Sequence, residues 1–363
     1  MIKIEPPGEG DALRKWRRMR NGTSLWWHVQ SRNKKSVTCD LRQSAGQEIV
    51  RRLARRAHVM IENFRPGALE RWNLGWEVLA AENPQLVLVR ISGYGQTGPY
   101  RERPGFAAIA EAVGGMRHVT GFPDRPPARP NLSLGDTIAA LHGVIGALLA
   151  LHAVKNGAGG QVIDVALYES VFNCMESLLP EYDAQRYIRE RSGSALPGIA
   201  PSNLYPCSDG SFVLIAGNAD SLYRRLMSAI ERPDLRDDPA LARNDGRAAQ
   251  MQRIDDAIAE WTRRRTQREV LAAMEAAEVP AGRIYTAADI AADPHYLARG
   301  MIERITAADG EPLKVPGIIP KLSRTPGAIR TPAPKLGEHT VEVLRGVGYN
   351  DVDIARLRES KII

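Results

Sequence analysis

The sequence predicts an α/β protein in which a large Rossmann-like domain with a parallel sheet is joined to a smaller α+β domain. Short β-rich runs alternate with helical segments through the first half of the 363-residue chain, as they do in βαβ units. Near residues 193–201 the pattern changes, and loop residues lead into short strands and helices rich in Arg and Asp. Roughly two domains are expected of a chain of this length.

The predicted elements follow in this order along the chain. Strands are predicted at 2–4, 36–41, 58–61 and 86–89. Helices are predicted over 45–57, 106–116, 137–155 and 167–188. In the smaller domain, strands are predicted at 203–206, 212–216 and 282–285, on either side of helices between 219 and 277. Two terminal helices are predicted near 338–345 and 351–359.

Composition excludes several classes of protein. Hydrophobic residues make up 44% and charged residues 25% of the chain, as in ordinary soluble globular proteins. The longest uncharged apolar run, 138–151, is shorter than the roughly 20 residues of a membrane span. The first residues lack the apolar core of a signal peptide. We therefore predict a cytoplasmic protein that does not bind a membrane.

Cysteine and histidine spacing argues against a disulfide framework and a metal site. The three cysteines are far apart and form no CxxC pair, and the seven histidines include no HExxH or similar spacing. The glycines of 93–98 fit neither the dinucleotide-binding nor the P-loop spacing. No metal and no tightly bound cofactor are therefore expected.

The chain is basic, with a formal charge of +7 and much of the excess in its first third. A basic zone can bind a polyphosphate ligand, an anionic surface or a nucleic acid. For the arginines between 51 and 56, a solvated helix face is the simpler interpretation, because their apolar neighbours form the buried stripe. No nucleic-acid-binding module is evident, so a nucleic-acid partner is not expected. A non-enzymatic anion-binding protein stays as an alternative.

One acidic residue stands where a turn meets the longest apolar segment. Asp136 lies in the sequence LGDT (134–137), directly before the uncharged run. An Asp there would begin a buried helix and place its carboxylate at the positive end of the helix dipole. That position keeps the group ionised and oriented, as a nucleophilic carboxylate requires. An ordinary helix N-cap is the alternative interpretation.

A second candidate site follows the strand predicted at 58–61. The segment ENFRPG (62–67) ends that strand and leads into a helix start. In parallel α/β sheets, ligands bind at the carboxyl ends of the strands, and unpaired N–H groups at a helix start favour anions. Arg65 and Arg71 suit phosphate, and Phe64 can pack on a flat ring. A strand–helix junction with two surface arginines is the alternative.

Ten collinear segments resemble the family III CoA-transferases, the CaiB/BaiF group that includes formyl-CoA transferase and the carnitine and bile-acid CoA-transferases. They are IKIEPPGEGD (2–11), GTSLWW (22–27), RNKKSVTCDLR (32–42), VMIENFRPGALER (59–71), NPQLVLVRISGYGQTGPY (83–100), PGFAAIAEAVGGM (104–116), LSLGD (132–136), GQVIDVALYESVFN (160–173), DGSFVLIAGN (209–218) and LGEHTVEVL (336–344). No single segment is diagnostic, but together they run in order nearly from end to end.

The resemblance implies a reaction and a set of residues. In this family an Asp in a Gly-Asp motif attacks the acyl-CoA carbonyl, and Asp136 occupies that position. CoA then passes to a carboxylic acid through an aspartyl anhydride and an aspartyl-CoA thioester, with acyl-CoA as a substrate. The resemblance implies CoA contacts at Arg42, Asn63, Phe64, Arg65 and Arg71, and a substrate pocket at Trp16, Trp26 and Phe106. For the two tryptophans, core packing is the alternative. The donor and acceptor acids are not determined by the sequence.

The resemblance also implies an architecture. The large Rossmann-like domain would comprise residues 1–190 and a C-terminal segment, 301–363, that returns to it, with the small α+β domain at 191–300. Two subunits would thread through one another as an interlocked homodimer. Such a dimer would bury much of the apolar surface of 137–190.

The chain departs from the family pattern in four places. It begins at what would be the second strand of the sheet, so we expect an unpaired sheet edge and fewer CoA contacts. Pro6 replaces a basic CoA contact of formyl-CoA transferase, and Ala107 replaces an acidic residue found in many members. The segment 196–203 is shorter than the glycine-rich substrate loop of formyl-CoA transferase. Its length argues against oxalate and formyl specificity.

Two further functions stay open. The α-methylacyl-CoA racemases of the same superfamily use a His in a Gly-His-Asp segment as an acid or base. This chain has Phe106 at that position, which cannot transfer a proton, so racemase activity is disfavoured. An inactive or regulatory CoA-binding homologue is the other alternative. Glu169, at the start of the helix predicted at 167–188, is interpreted as a dipole partner rather than as the nucleophile.

Overall fold

The computed structural model describes all 363 residues, in twelve strands and eighteen α-helices. The strands are β1 (Ile2–Glu5), β2 (Met19–Arg20), β3 (Thr23–Ser24), β4 (Lys35–Thr38), β5 (Val59–Glu62), β6 (Val87–Ser92), β7 (Gln161–Ala166), β8 (Ser202–Pro206), β9 (Phe212–Ala216), β10 (Ala281–Arg283), β11 (Ile302–Thr306) and β12 (Pro312–Pro316). The helices are α1 (Leu25–Gln30), α2 (Ser44–Ala54), α3 (Ala68–Arg71), α4 (Trp76–Glu82), α5 (Ala107–Val113), α6 (Met116–Val119), α7 (Leu134–Lys155), α8 (Leu167–Phe172), α9 (Leu178–Gln185), α10 (Asp220–Ala229), α11 (Pro233–Arg236), α12 (Asn244–Ala249), α13 (Met251–Thr262), α14 (Gln267–Ala276), α15 (Ala287–Ala292), α16 (Pro294–Ala298), α17 (Thr340–Gly346) and α18 (Asp351–Glu359).

The chain forms two units, and each is made from separate stretches of sequence. The first unit comprises residues 1–111, 133–174 and 291–363, and the second comprises 112–132 and 175–290. These boundaries differ from the predicted ones, because residues 112–132 and 175–190 group with the second unit and residues 291–300 with the first.

The first unit contains the parallel strands that the sequence predicts. β6 lies between β5 and β7 in a three-stranded parallel sheet, in which Val87 pairs with Val59 on one side and Gln161 on the other. β1 and β4 form a separate parallel pair. β6 is buried along nearly its whole length, as expected of a strand covered on both faces. The predicted α/β class with parallel sheets is confirmed.

The long apolar helix α7 packs on this sheet against β6 and β7. A Cβ at Gly146 would lie 2.7 Å from Cγ2 of Ile163 on β7, so glycine permits this close approach. The helix begins at Leu134 with Ser133 at the N-cap position, and Asp136 lies in the first turn. The interpretation of Asp136 as the N-cap is therefore wrong, whereas its position at the positive end of the helix is confirmed.

Some predicted elements differ from the structure. The helix predicted at 167–188 is two helices, α8 and α9, because the chain turns between them at Glu176, which has a φ of +52°. β7 has no counterpart among the predicted strands. The antiparallel hairpin of β11 and β12, in which Ile302 pairs with Pro316, was also not predicted.

The C-terminal helices contribute to the core of the first unit. Leu344 on α17 and Ile354 on α18 are buried in one cluster with Cys39 and Ile49. Next to this cluster, the backbone N–H of Asp40 donates to the carbonyl oxygen of Ile362 at 2.8 Å. The last residues of the chain are thus held against residues close to its beginning.

The second unit is built on an antiparallel sheet in which β9 lies between β8 and β10. Leu214 of β9 pairs with Leu204 on one side and with Gly282 on the other. Helices α10, α13 and α14 supply Leu226, Ile254 and other apolar side chains to a single core with this sheet. This is the α+β arrangement that the sequence predicts for the smaller domain.

A buried histidine makes the stability of the first unit dependent on pH. His28 on α1 is 1% exposed, and neither ring nitrogen has a hydrogen-bond partner. Burial lowers the pKa of His28 below its ordinary value, and Arg20 lowers it further, whereas Asp309 acts in the opposite direction. Between the two pKa values, His28 is protonated in the unfolded chain and neutral in the folded chain. Stability is complete above about pH 6.5 and is lost as the pH falls below it.

We expect the Tm to fall by a few degrees between about pH 7.5 and about pH 5.5 as a result. The variant His28→Leu fills the site with an apolar side chain that cannot be protonated, so its Tm should fall less over the same range. Differential scanning calorimetry at both pH values measures the difference. An equal fall in the two proteins would assign the effect to other groups.

Candidate active site

The loops that follow β5 and β6 enclose a cavity at the carboxyl edge of the parallel sheet. Its volume is about 130 Å³. The residues that line it are Asn63, Phe64, Arg65, Pro66, Ser92, Gly93, Arg101, Arg103, Pro104, Gly105 and Phe106. Pockets that enclose a whole drug-sized ligand measure about 300–1,000 Å³. This cavity can therefore hold only part of such a ligand.

The loop after β5 places one aromatic and one cationic side chain in the cavity wall. Phe64 packs edge-on against Trp72, with 5.0 Å between the ring centroids, and 37% of its surface remains exposed. Arg65 is exposed. Gly67 has a φ of +80° and precedes α3, which is only four residues long. The predicted helix start is therefore present, but so short a helix provides little dipole for an anion.

The glycine-rich loop after β6 is fixed by two polar side chains. The backbone N–H of Gly95 donates to the hydroxyl of Ser92 at 2.9 Å. That of Gln96 donates to Oδ2 of Asp164 on β7, also at 2.9 Å. A Cβ at Gly93 would lie 2.9 Å from Cα of Gly105, so the two ends of the loop meet only because both residues are glycines.

This close approach brings two further arginines to the cavity, and neither was predicted from the sequence as a site residue. Arg103 stacks on the ring of Tyr100, with its guanidinium carbon 3.5 Å from the ring centroid. Arg101 lies 3.3 Å from the carboxylate of Glu102. Together with Arg65, they make the lining of the cavity strongly basic. Such a lining favours an anionic ligand.

Asp136 lies beside the loop that lines the cavity. The backbone N–H of Gly135 is 3.5 Å from Oε1 of the buried Glu111, and a Cβ at Gly135 would be 3.1 Å from the carbonyl oxygen of Ala107. Ala107 directly follows Phe106, a lining residue that is 78% exposed. Asp136 itself is exposed. Asp136 is therefore an exposed residue in the first turn of α7, and its neighbour Gly135 packs against the residue that follows Phe106.

Four other residues singled out from the sequence lie outside the cavity lining. The guanidinium of Arg42 makes two hydrogen bonds to Asp40, and this pairing lowers the pKa of Asp40 to about 2. The guanidinium of Arg71 lies over Gly67. The rings of Trp16 and Trp26 are 6.1 Å apart, and Trp16 is 52% exposed. Core packing is therefore not the role of Trp16.

The fully buried tryptophan of this region is a different one, Trp27. It is 1% exposed, and its indole N–H donates to the carbonyl oxygen of Pro334 at 3.2 Å. Glu169 lies in the first turn of α8, where the hydroxyl of Tyr168 donates to it at 3.1 Å. No group of three or more His, Cys, Asp and Glu side chains could hold a metal ion.

Comparison with known proteins gives consistent matches over both units. The sequence model of CoA-transferase family III matches residues 1–340. The succinyl-CoA–D-citramalate CoA-transferase of Chloroflexus aurantiacus is 47% identical over 100% of this chain and 91% of that protein. The beta subunit of succinyl-CoA–L-malate CoA-transferase from the same organism is 43% identical over the same shares. The crystal structure of a CAIB/BAIF family protein from Brucella suis has a TM-score of 0.81 at 34% identity, covering 95% of this chain and 91% of that one.

Proposed function

Because the chain belongs to CoA-transferase family III, we propose that it transfers CoA from an acyl-CoA to a free carboxylic acid with Asp136 as the nucleophile. The observation that carries this proposal is the position of Asp136. Asp136 is exposed in the first turn of a 22-residue helix, and its neighbour Gly135 packs against Ala107, which follows Phe106 in the lining of a basic cavity. The helix dipole favours the ionised form that a nucleophile requires.

The proposed reaction has four steps, and CoA thiolate leaves in the first and third and attacks in the second and fourth. The Asp136 carboxylate attacks the thioester carbonyl, which forms a mixed anhydride and releases CoA thiolate. The thiolate attacks the aspartyl carbonyl of the anhydride, which forms an aspartyl-CoA thioester and releases the donor acid. The acceptor carboxylate attacks this thioester, which forms a second anhydride and releases the thiolate again. Attack of the thiolate on the acceptor's carbonyl gives the new acyl-CoA and regenerates Asp136.

The basic cavity is proposed to bind part of the CoA molecule. Arg65, Arg101 and Arg103 supply guanidinium groups that suit phosphate oxygens, and Phe64 offers an aromatic face for a flat ring. Asn63 adds an amide at the same wall. Because the cavity is smaller than CoA, the rest of the ligand must lie outside it.

The predicted residues outside the cavity remain part of the proposal. Arg42 and Arg71 are both exposed and can provide cationic contacts to CoA beyond the cavity. Trp16 and Trp26 are proposed to line the acyl site, for which the exposed half of Trp16 is suited. Phe106 is proposed to contact the substrate at the cavity wall. A side chain that cannot transfer a proton at this position also disfavours racemase activity.

The acids are proposed to be small dicarboxylates, with succinyl-CoA as donor and a hydroxy acid of the malate or citramalate type as acceptor. The names of the two relatives, 47% and 43% identical over the whole chain, support this substrate class. A panel of acyl-CoA donors against acceptor acids, read by chromatography of the acyl-CoA products, tests it. Formation of malyl-CoA or citramalyl-CoA from succinyl-CoA is the expected result. Transfer only to monocarboxylic acids would contradict the proposed class.

A homodimer is proposed to cover the outer face of α7. This helix exposes five large apolar side chains, which are Leu141, Val144, Ile145, Leu148 and Leu149. By length and composition alone, α7 could cross a membrane. The opposite side of α7, however, is packed on the sheet through Gly146. The helix is therefore one layer of an α/β fold. One relative is named as a subunit, which supports assembly of more than one chain.

We expect the change Leu148→Glu to convert the dimer to a monomer, because a charge at the centre of an apolar interface is desolvated without a partner. Light scattering coupled to size-exclusion chromatography measures the mass. The matched control is Val352→Glu on α18, where an equally exposed valine (68%, against 61% for Leu148) lies on another helix. A wild-type monomer, or an unchanged dimer in Leu148→Glu, would contradict the proposed interface.

A further inference from the structure

Arg90 is the only charged residue of β6, and it is buried. Its exposed fraction is 7%, and the β5–β6 register places it opposite Glu62, the last residue of β5. Nε of Arg90 donates to Oε1 of Glu62 at 2.7 Å. The side chain of Glu62 is 2% exposed, so this cross-strand ion pair is almost completely removed from water.

The second oxygen of the Glu62 carboxylate binds the loop that follows β5. The backbone N–H of Phe64 donates to Oε2 of Glu62 at 2.7 Å. Phe64 and its neighbour Asn63 are lining residues of the cavity. One carboxylate therefore connects the guanidinium in the sheet to the backbone of the cavity wall.

The same guanidinium also binds the far end of this loop. Nη1 and Nη2 of Arg90 donate to the two carboxylate oxygens of Glu70, at 2.7 Å and 3.2 Å. Glu70 belongs to α3, and Arg90 lowers its pKa below the ordinary value. The segment 63–69 thus has a carboxylate on each side of it, and both carboxylates are held by one arginine.

Stability alone does not explain the buried triad of Arg90, Glu62 and Glu70. Desolvation costs several kcal/mol per buried ion, and apolar side chains of similar size are often as stabilising as a buried ion pair. Burial raises the pKa of Glu62 even though Arg90 is bound to it, so desolvation outweighs the attraction at this carboxyl group. The gain from the triad is geometric, because three charge-assisted contacts permit one conformation of the loop.

We infer that Arg90, Glu62 and Glu70 are positioning residues for acyl-CoA, which hold Asn63 and Phe64 in the conformation that binds it. None of the three lines the cavity, so they act through the loop and not through contact with the ligand. The inference rests on the proposed function, since it takes the cavity as part of the CoA site.

The variants Glu62→Gln and Glu70→Gln test this inference, because each keeps the size of the side chain and removes its charge. For Glu62→Gln we expect the Kd for CoA, measured by titration calorimetry, and the KM for succinyl-CoA to rise about tenfold or more. The KM for the acceptor acid and kcat at saturation should change by less than about twofold. Glu70→Gln should shift the same two constants in the same direction by a smaller factor, because Glu70 is 48% exposed.

Asp220→Asn in the second unit is the matched control. Asp220 is 43% exposed and is bonded at 2.8 Å to a buried arginine, Arg247, as Glu70 is bonded to Arg90. This change should lower the Tm and leave the Kd for CoA unaltered. A folded Glu62→Gln that keeps the wild-type Kd and KM overturns the inference. A wild-type protein that does not bind CoA overturns the proposed function itself, so the two failures are distinguishable.

Discussion

Replacing Asp136 by Asn is expected to lower the rate of CoA transfer by about three orders of magnitude or more. The carboxamide has nearly the same shape, but it carries no ionised oxygen that can attack a thioester and form an anhydride. We therefore expect the fold to be unchanged by this substitution in the first turn of α7. The loss should therefore appear in kcat, while the Kd for CoA stays close to that of the wild type.

Two measurements test the chemical role of Asp136, and an unchanged Kd for CoA separates its loss from a loss of folding or binding. Chromatography of acyl-CoA products gives the rate of transfer from succinyl-CoA to the acceptor acid. Mass spectrometry of the peptide that contains residue 136, after incubation with succinyl-CoA alone, detects the covalent adduct. The adduct should form in the wild type and not in Asp136→Asn. Full turnover of the variant would remove Asp136 from the mechanism.

Glu169→Gln is the matched control for this substitution. Glu169 is also an exposed carboxylate in the first turn of a helix, so the two changes remove the same charge from comparable positions. Its partner is the hydroxyl of Tyr168. Transfer should continue in Glu169→Gln with kcat within about twofold of the wild type. Loss of the adduct in this variant alone would move the role of nucleophile to Glu169.

The family and the parallel sheet could be predicted from sequence because their signals are local. The runs that became β5 and β6 are short, apolar and followed by polar turns, and the family segments lie in order along the chain. β7 could not be predicted in this way, because its sequence does not separate it from the helix that follows. Its last residue, Ala166, is followed directly by Leu167 of α8, so no Gly or Pro marks the change from strand to helix.

The candidate site was predictable as far as it depends on the direction of the strands. Ligands of parallel sheets bind at the carboxyl ends of the strands, so ENFRPG (62–67) was expected to lie near a ligand, whereas no ligand was predicted for the glycines after β6. Arg101 and Arg103 reach the cavity because Gly93 and Gly105, twelve residues apart, fold against one another. No local pattern reports such a contact.

The buried triad of Arg90, Glu62 and Glu70 also depends on contacts that local sequence does not report. Arg90 stands in an apolar run, where local sequence gives no reason for a charge. Only the register of β5 and β6, with Glu62 opposite Arg90, supplies that reason. The start of α7 is a smaller case, because Gly135 weakens the helical pattern although close packing against Ala107 favours glycine there.

The largest effect on stability is expected in the second unit, from Arg247→Ala. Arg247 on α12 is completely buried, and its guanidinium lies 4.9 Å from the ring of Tyr223. Its five N–H donors are all used, in bonds to the carbonyl oxygens of Ala200, Leu241, Ala242 and Asn218 and to the carboxylate of Asp220. These acceptors lie in three segments of the chain, at residues 200, 218–220 and 241–242, so one side chain joins the three segments.

Truncation to Ala removes every one of these donors and leaves a cavity. Buried carbonyl oxygens without partners each cost about 1–3 kcal/mol, although water can enter the space and reduce that cost. Asp220 is 43% exposed and regains water, so the loss comes mainly from the carbonyl oxygens and the cavity, and we expect a total of about 3 kcal/mol or more. Urea denaturation measures the free energy of unfolding. Hydrogen exchange of amides in α10 and α13 shows whether the loss falls on the second unit.

Arg247→Lys provides the more discriminating comparison. Lysine keeps the positive charge, but an ammonium group has three donors on a single nitrogen and cannot reach five acceptors spread around a planar fork. If the charge alone were responsible, the Lys variant would be nearly as stable as the wild type. Because four of the five acceptors are neutral carbonyl oxygens, we expect it to lose most of the stability that Ala loses. A stable Lys variant would mean that the attraction to Asp220, rather than the hydrogen-bonded fork, holds these segments together.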